Sequence, residues 1–215
     1  MKISESTFTI VGNGFAEGPS QALRDYLLLH NAKRITMIAH PLVSGGDGNH
    51  IVTVYESGNI AEKKHSLPNE PPYTYLIDPF TPLSLPKDDY WFGFNNLACL
   101  RGIARRRAGR TKVVVYWAVD FVPNRFGKNI ATRVYDLVDK YVCKNVDMRV
   151  ELTQPALEKR PVRLNIDPKQ LSRSMVVPMG AWLGRTPKAT YDNWEYRRLI
   201  YMGHLVERQG VTTFI

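Results

Sequence analysis

An apolar run, Val113-Val114-Val115-Tyr116-Trp117-Ala118-Val119, stops abruptly at Asp120 and, three residues later, at Pro123. A strand covered on both faces of a parallel sheet shows as a continuous Val-rich stretch rather than an alternation. Parallel strands need long crossover connections, usually helical, so this one stretch points the chain to an α/β architecture. In open sheets of that kind ligands sit at the carboxyl ends of the strands, and Asp120 falls at such an end. Three roles are open to it: general base, binder of sugar hydroxyls, or helix cap in a strand-to-loop turn.

The flanking sequence supplies the alternation such a sheet requires. Residues 7–11 are β-branched and aromatic, then come Gly12-Asn13-Gly14 and Gly18, and Pro19 suits a first helical turn. Leu23, Tyr26 and Leu27 share one face of that helix, and residues 34–42 return as a second strand. Residues 51–55 and 60–65, around Ser57-Gly58-Asn59, read as a hairpin decorating a sheet edge, with a further strand at 73–78 between prolines. A helix over 95–107 carries Leu97, Leu100, Ile103 and Ala104 on one face and arginines on the other, with Gly109 as its stop. A helix over 130–142 places Val134, Leu137, Val138, Tyr141 and Val142 in register, and short strands follow at 147–152 and 175–180.

The expected fold is therefore α/β, a Rossmann-like doubly wound and mostly parallel sheet spanning residues 1–183. A polar linker is expected over 184–197. Strand-then-glycine at 198–203 then opens a new unit, so residues 198–215 are expected to begin a second domain that needs more chain to bury its apolar face.

Composition narrows the function. With 44% apolar and 23% charged residues the chain is ordinarily globular, and Cys99 and Cys143 stand too far apart for a disulfide framework or a zinc motif. Two buried thiols in a reduced, cytoplasmic setting are the expectation. Residues 1–6 lack a signal peptide's apolar core, and no run approaches the roughly 18 apolar residues of a membrane span. The formal charge of +9 favours phosphate-bearing partners: nucleotides, nucleic acid or an anionic membrane face.

Several residues could meet them. Gly12, Asn13, Gly14 and Gly18 form a GxGxxxG turn between strand and helix, where backbone N–H groups either approach an anion or simply make a tight turn. His40, just after a strand and before Pro41, is a second candidate for the edge that holds Asp120, or else a structural histidine. Arg101, Arg105, Arg106, Arg107 and Arg110 form the strongest charge cluster. It reads as a solvated helix face, or as a surface lying on anionic headgroups at the inner face of the cell membrane. Nucleic acid ranks below both, since no helix-turn-helix, zinc or RNA-recognition signature accompanies the charge.

Four segments carry a family resemblance: residues 116–127 (YWAVDFVPNRFG), 145–147, 176–180 (VVPMG) and 200–211 (YMGHLVERQGV, preceded by Ile200). Together they resemble the N-terminal half of a GT-B glycosyltransferase of the retaining family 4 type. The stretch at Val176 is similar to the end of that family's acceptor domain, and the stretch at Ile200 to the opening of its donor domain. The resemblance implies two Rossmann-like domains facing a cleft, one for the acceptor and one for a sugar nucleotide. It implies transfer of a sugar to a hydroxyl of a glycan or lipid-linked acceptor with retention at the anomeric carbon, in the building of a surface glycan or glycolipid. A nucleotide-sugar co-substrate is implied, with no metal and no other cofactor.

By that resemblance Asp120 and Arg125 line the cleft, with Asp120 catalytic and His40 a further substrate-binding candidate there, while Gly12, Asn13, Gly14 and Gly18 approach the donor phosphates or the acceptor. Gly203, His204 and Arg208 are placed at the donor diphosphate. Here the sequence departs from the family: His204 and Gln209 stand where its arginine and lysine do, and the acidic ExxxxxxxE motif of its donor domain is not found in residues 198–215. The chain alone is accordingly expected to lack complete activity. From another functional class, a non-catalytic module docking on an anionic membrane or a partner chain answers to the same basic helix.

Overall fold

The computed structural model describes residues 2–13, 18–41, 50–65, 79–80 and 84–180. The chain divides into two units, Met1–Met179 and Gly180–Ile215, and every element named here belongs to the first. The expected linker and second domain, and the strand at 73–78, lie outside the described residues.

Eight strands form one sheet: β1 (Thr7–Asn13), β2 (Arg34–His40), β3 (Ile51–Glu56), β4 (Asn59–His65), β5 (Asp88–Gly93), β6 (Thr111–Ala118), β7 (Met148–Glu151) and β8 (Arg173–Val176). Their spatial order is β4-β3-β2-β1-β5-β6-β7-β8. Six run parallel, and the β3–β4 hairpin adds antiparallel to β2 at one edge, where the sequence pattern puts it. Four helices cross between parallel strands: α1 (Pro19–Leu29), α2 (Asn96–Arg107), α3 (Ile130–Asn145) and α4 (Gln154–Arg163).

Helices cover both faces, which makes the sheet doubly wound. On one face Phe8, Ile10 and Ile35 pack against Leu23, Leu27 and Leu28 of α1. On the other Val11, Ile38, Val114 and Tyr116 meet Ala98, Cys99 and Ile103 of α2 and Val142 and Cys143 of α3. The approach of α2 depends on two glycines. A Cβ at Gly102 would stand 2.4 Å from Cδ1 of Trp91, and one at Gly93 would stand 2.5 Å from Sγ of Cys99. The Trp91 indole, fully buried, donates from Nε1 to the carbonyl of Ala98 at 2.9 Å and so fixes the turn of α2 that it touches.

Three local readings are corrected. The buried face of α2 runs through Ala98, Cys99, Gly102 and Ile103 while Ala104 is exposed, because Gly102 rather than a larger apolar residue meets Trp91. In α3 Val142 is buried and Val138 packs on the core, yet Val134 and Leu137 are 55% and 66% exposed. The whole of α4 is unforeseen, since Pro155 and Pro161 argue against a helix there. Pro155 falls in its first turn, where an N–H is not needed, and Thr153 caps it by accepting from the Ala156 N–H at 3.3 Å. Pro161 leaves the Leu157 carbonyl without its helical donor, and the Arg149 guanidinium supplies one at 3.1 Å. No described helix is long and apolar enough to cross a membrane.

Candidate functional site

All six parallel strands end at one edge of the sheet, and β1 pairs with β2 on one side and β5 on the other. The direction of winding reverses there, and such a reversal opens a crevice at the carboxyl ends of the strands. Gly12 and Asn13 end β1, His40 ends β2 opposite Asn13, and Asp120 follows β6. The edge thus gathers the strand-end residues expected of it, from three separate segments. Asn95 ties the crevice together. Its Oδ1 caps α2 by accepting from the Ala98 N–H at 2.7 Å, and its Nδ2 donates to Oδ1 of Asn13 at 3.3 Å. Gly18 is the N-cap of α1, its N–H donating to Oε1 of Gln21 at 2.9 Å. Gly14 lies outside the described residues, as do Gly203, His204 and Arg208.

His40 is buried, with its Nδ1 2.7 Å from Nδ1 of His50. At that separation one ring carries the proton and the other accepts it. Burial, His50 and Arg101 push the His40 pKa down to about 3, so the pair stays neutral. The two rings thus face each other in the interior rather than solvent at the sheet edge.

Asp120 is 45% exposed in its side chain and ion-paired with Arg125. The helix-cap role falls to Asn129 instead, which accepts from the Thr132 N–H at 3.1 Å at the start of α3. Between them the chain makes a tight turn, Gly127 N–H to Asn124 carbonyl at 2.8 Å, with φ of +53° at Asn124 and +79° at Gly127. Arg125 also lies 5.4 Å over the Tyr135 ring. Burial opposes the Arg125 cation, but Asp120 and Tyr135 outweigh it and raise its pKa, and burial drives Tyr135 up to about 12. The result is an anchored guanidinium holding a carboxylate at the rim.

Beneath this pair lies a buried charge network. Arg160 of α4 donates from Nε to Oε1 of Glu151 at 2.6 Å, from Nη1 to Oδ2 of Asp139 at 2.7 Å, and from Nη2 to the carbonyl of Asp120 at 2.6 Å. The Tyr116 hydroxyl donates to the other oxygen of Asp139 at 2.9 Å. Burial disfavours the Arg160 cation, yet Tyr116, Asp139 and Glu151 reverse the balance and raise its pKa. The loop that bears Asp120 is therefore clamped to α4, α3 and β7 through one arginine. Sequence reading missed this network, although Glu151 beside the apolar Val150 and two prolines flanking Arg160 mark charges that solvent does not reach.

A pocket of about 480 Å³ opens beside the clamp, lined by Asp120, Phe121, Glu151, Thr153 and Lys159 among others. An adjoining depression of about 530 Å³ shares Phe121, Pro123 and Lys159 and adds Val162 and Arg163. Both are open toward solvent, and Asp120, Thr153 and Lys159 set polar groups beside the apolar Phe121 and Pro123. Among the described residues no three His, Cys, Asp or Glu side chains gather as a metal site.

The arginines of α2 need correction. Arg101 and Arg105 are buried, not solvated. They lie 5.7 and 5.4 Å over the Trp91 ring, and Arg105 pairs with buried Asp88 at 3.1 Å. The small Gly102 leaves the space into which the indole fits, and the carboxylate at the start of β5 needs a cation. Arg106 pairs with Asp147, Arg107 lies 5.7 Å over Tyr141, and Arg107 and Arg110 are exposed. The cluster is thus half structural.

In comparisons with known proteins, no family profile matches the chain and no curated protein matches it.

Proposed function

We propose that residues 1–179 are the acceptor-binding domain of a retaining glycosyltransferase of the GT-B type. It works with a nucleotide-sugar as donor and a glycan or lipid-linked acceptor. The observation that carries this reading is the Asp120–Arg125 pair, at the carboxyl end of β6 and beside the pocket of about 480 Å³. A partly exposed carboxylate can accept hydrogen bonds from acceptor hydroxyls, and with Arg125 fixing its orientation it would present the attacking oxygen toward the donor. Asp120 is thereby assigned the catalytic role, and Gly12, Asn13 and Gly18 the crevice nearer the switch between β1 and β5. The sequence resemblance across residues 116–127 favours the same role for the same residues. An α/β sheet alone would not select it, because this architecture hosts many chemistries.

The test is transfer of labelled sugar from a panel of nucleotide-sugars by the complete protein from its own cells, with the product's anomeric configuration read by NMR. Turnover with retention is the expected result. Replacing Asp120 by Asn should lower kcat/KM at least tenfold while the folded fraction stays unchanged. Absence of turnover across the panel would sink the reading.

A further inference from the structure

Burial of Arg101 and Arg105 removes two of the cations a docking surface on α2 would need, and the structure offers a different surface. Ile130, Val134 and Leu137 follow the i, i+4, i+7 spacing of one helix line on α3, and they are 79%, 55% and 66% exposed. Tyr141 continues the line at i+11. Beside it on the same helix runs a second line, Arg133, Lys140 and Lys144, spaced i, i+7, i+11. Arg107 of α2 closes the other side, its guanidinium 5.7 Å over the Tyr141 ring. Phe126, 40% exposed in the turn before α3, packs edge-on against Tyr135 on another face of the helix and is not part of the line.

An apolar line this exposed would be removed from water if something covered it, and the flanking charge says what. A protein core or a symmetric second copy would bring cations against an apolar surface or against one another. An anionic bilayer instead takes the side chains of Ile130, Val134 and Leu137 among its acyl chains, while Arg107, Arg133 and Lys144 reach lipid phosphates. The apolar line from residue 130 to 141 is about 16 Å long at 1.5 Å per residue, enough to lie flat in the headgroup region. We infer that α3, through Ile130, Val134 and Leu137 flanked by Arg107, Arg133 and Lys144, is a docking surface for an anionic lipid bilayer. This assignment is independent of the transferase reading: a lipid-bound module without catalysis would use the same face.

The test is flotation of the full chain with vesicles of phosphatidylcholine containing 30% phosphatidylglycerol, against vesicles of phosphatidylcholine alone. Binding should be at least tenfold stronger to the anionic vesicles and fall as salt rises from 0.1 to 0.5 M. The double substitution Val134→Ser and Leu137→Ser, at exposed positions that the core does not use, should lower the bound fraction at least tenfold with the circular dichroism spectrum unchanged. Lys33→Ala, an exposed cation in the turn between α1 and β2, should change it less than twofold. Light scattering on the free protein should give a monomer. Equal binding of the double variant and the parent would overturn the assignment, as would a solution dimer that the same two substitutions dissociate.

Discussion

The sheet carries a buried arginine–carboxylate cluster at each edge, and the two are built differently. At the amino edge Asp88 is held by Arg105 at 3.1 Å and by the hydroxyls of Thr111 and Thr9 at 2.7 and 3.2 Å, and Arg105 spends another N–H on the Pro86 carbonyl at 2.5 Å. The partners lie in the first residues of β1 and β6, in the residues leading into β5, and on the helix packed there. At the carboxyl edge one cation, Arg160, answers two carboxylates and also holds the backbone of the Asp120 loop. The first cluster closes upon itself; the second reaches out to a pocket. A buried charge pair is weak evidence for stability in itself, so its connections show what it does.

The largest expected effect follows from the number of carboxylates each arginine answers. Arg160→Ala leaves Asp139 buried without its cation and Glu151 with only the longer Arg149 contact at 3.6 Å, and should lower the unfolding free energy by about 3–5 kcal/mol. Arg105→Ala leaves Asp88 two hydroxyl donors and should cost less, about 1–3 kcal/mol. Urea denaturation of both variants checks the order. Equal losses would mean that the two clusters are energetically alike and that the contrast is one of geometry alone.

The edges should also answer to pH with opposite sign, and the carboxyl edge gives the larger response. His40, facing His50 and Arg101, has its pKa lowered from 6.5 to about 3 by burial first and those neighbours next. The unfolded chain binds a proton below about 6.5 that the folded one refuses until about 3. Stability is therefore fully present above that window and lost as pH falls through it, at up to about 1.4 kcal/mol per pH unit. His40→Gln should flatten this part of the curve in thermal melts at pH 4 to 7. An unchanged slope would place the acid sensitivity elsewhere.

How much of this was legible differs between the edges for a physical reason. Strand ends announce themselves: an apolar run that stops at Asp120, or a glycine turn after Val11, is a local pattern, and the hairpin at 51–65 was equally local. The edge residues Asn13, His40 and Asp120 were found that way. Arg160, Asp139 and Glu151 were not, because each lies in a segment that reads as ordinary charged surface, and only the packing of α4 across β7 converts them to a buried set. The face of α2 misread as solvated and the ridge of α3 misread as core fail together. A helix with apolar residues on more than one side does not say which side the sheet takes. Glycine at 102, read for what it admits rather than for its own preference, was the available clue.

Arg125 separates positioning from stability at the carboxyl edge. Its pair with Asp120 is partly exposed, so Arg125→Ala should cost no more than about 1 kcal/mol of stability. On the transferase reading proposed above, acceptor affinity should fall by about tenfold, because Asp120 loses the group that orients it. Calorimetric titration with acceptor glycans, together with a urea curve, reads both. A loss of stability as large as that of Arg160→Ala would make Arg125 part of the buried clamp rather than of the site.

The smallest effect belongs to the amino edge and carries the opposite sign from His40. Burial raises the Asp88 pKa above the ordinary carboxylate value despite the opposing bonds from Thr111, Arg105 and Thr9. A raised acid contributes stability that is fully present below its unfolded pKa, about 3.9, and is lost as pH rises through the folded value. Asp88→Asn keeps the shape and removes that titration. The variant's deficit relative to the parent should therefore be smaller at pH 7 than at pH 3.5. Should the deficit instead grow toward pH 7, the Arg105 ion pair outweighs burial, and the amino edge would be held together by charge in the same manner as the carboxyl edge.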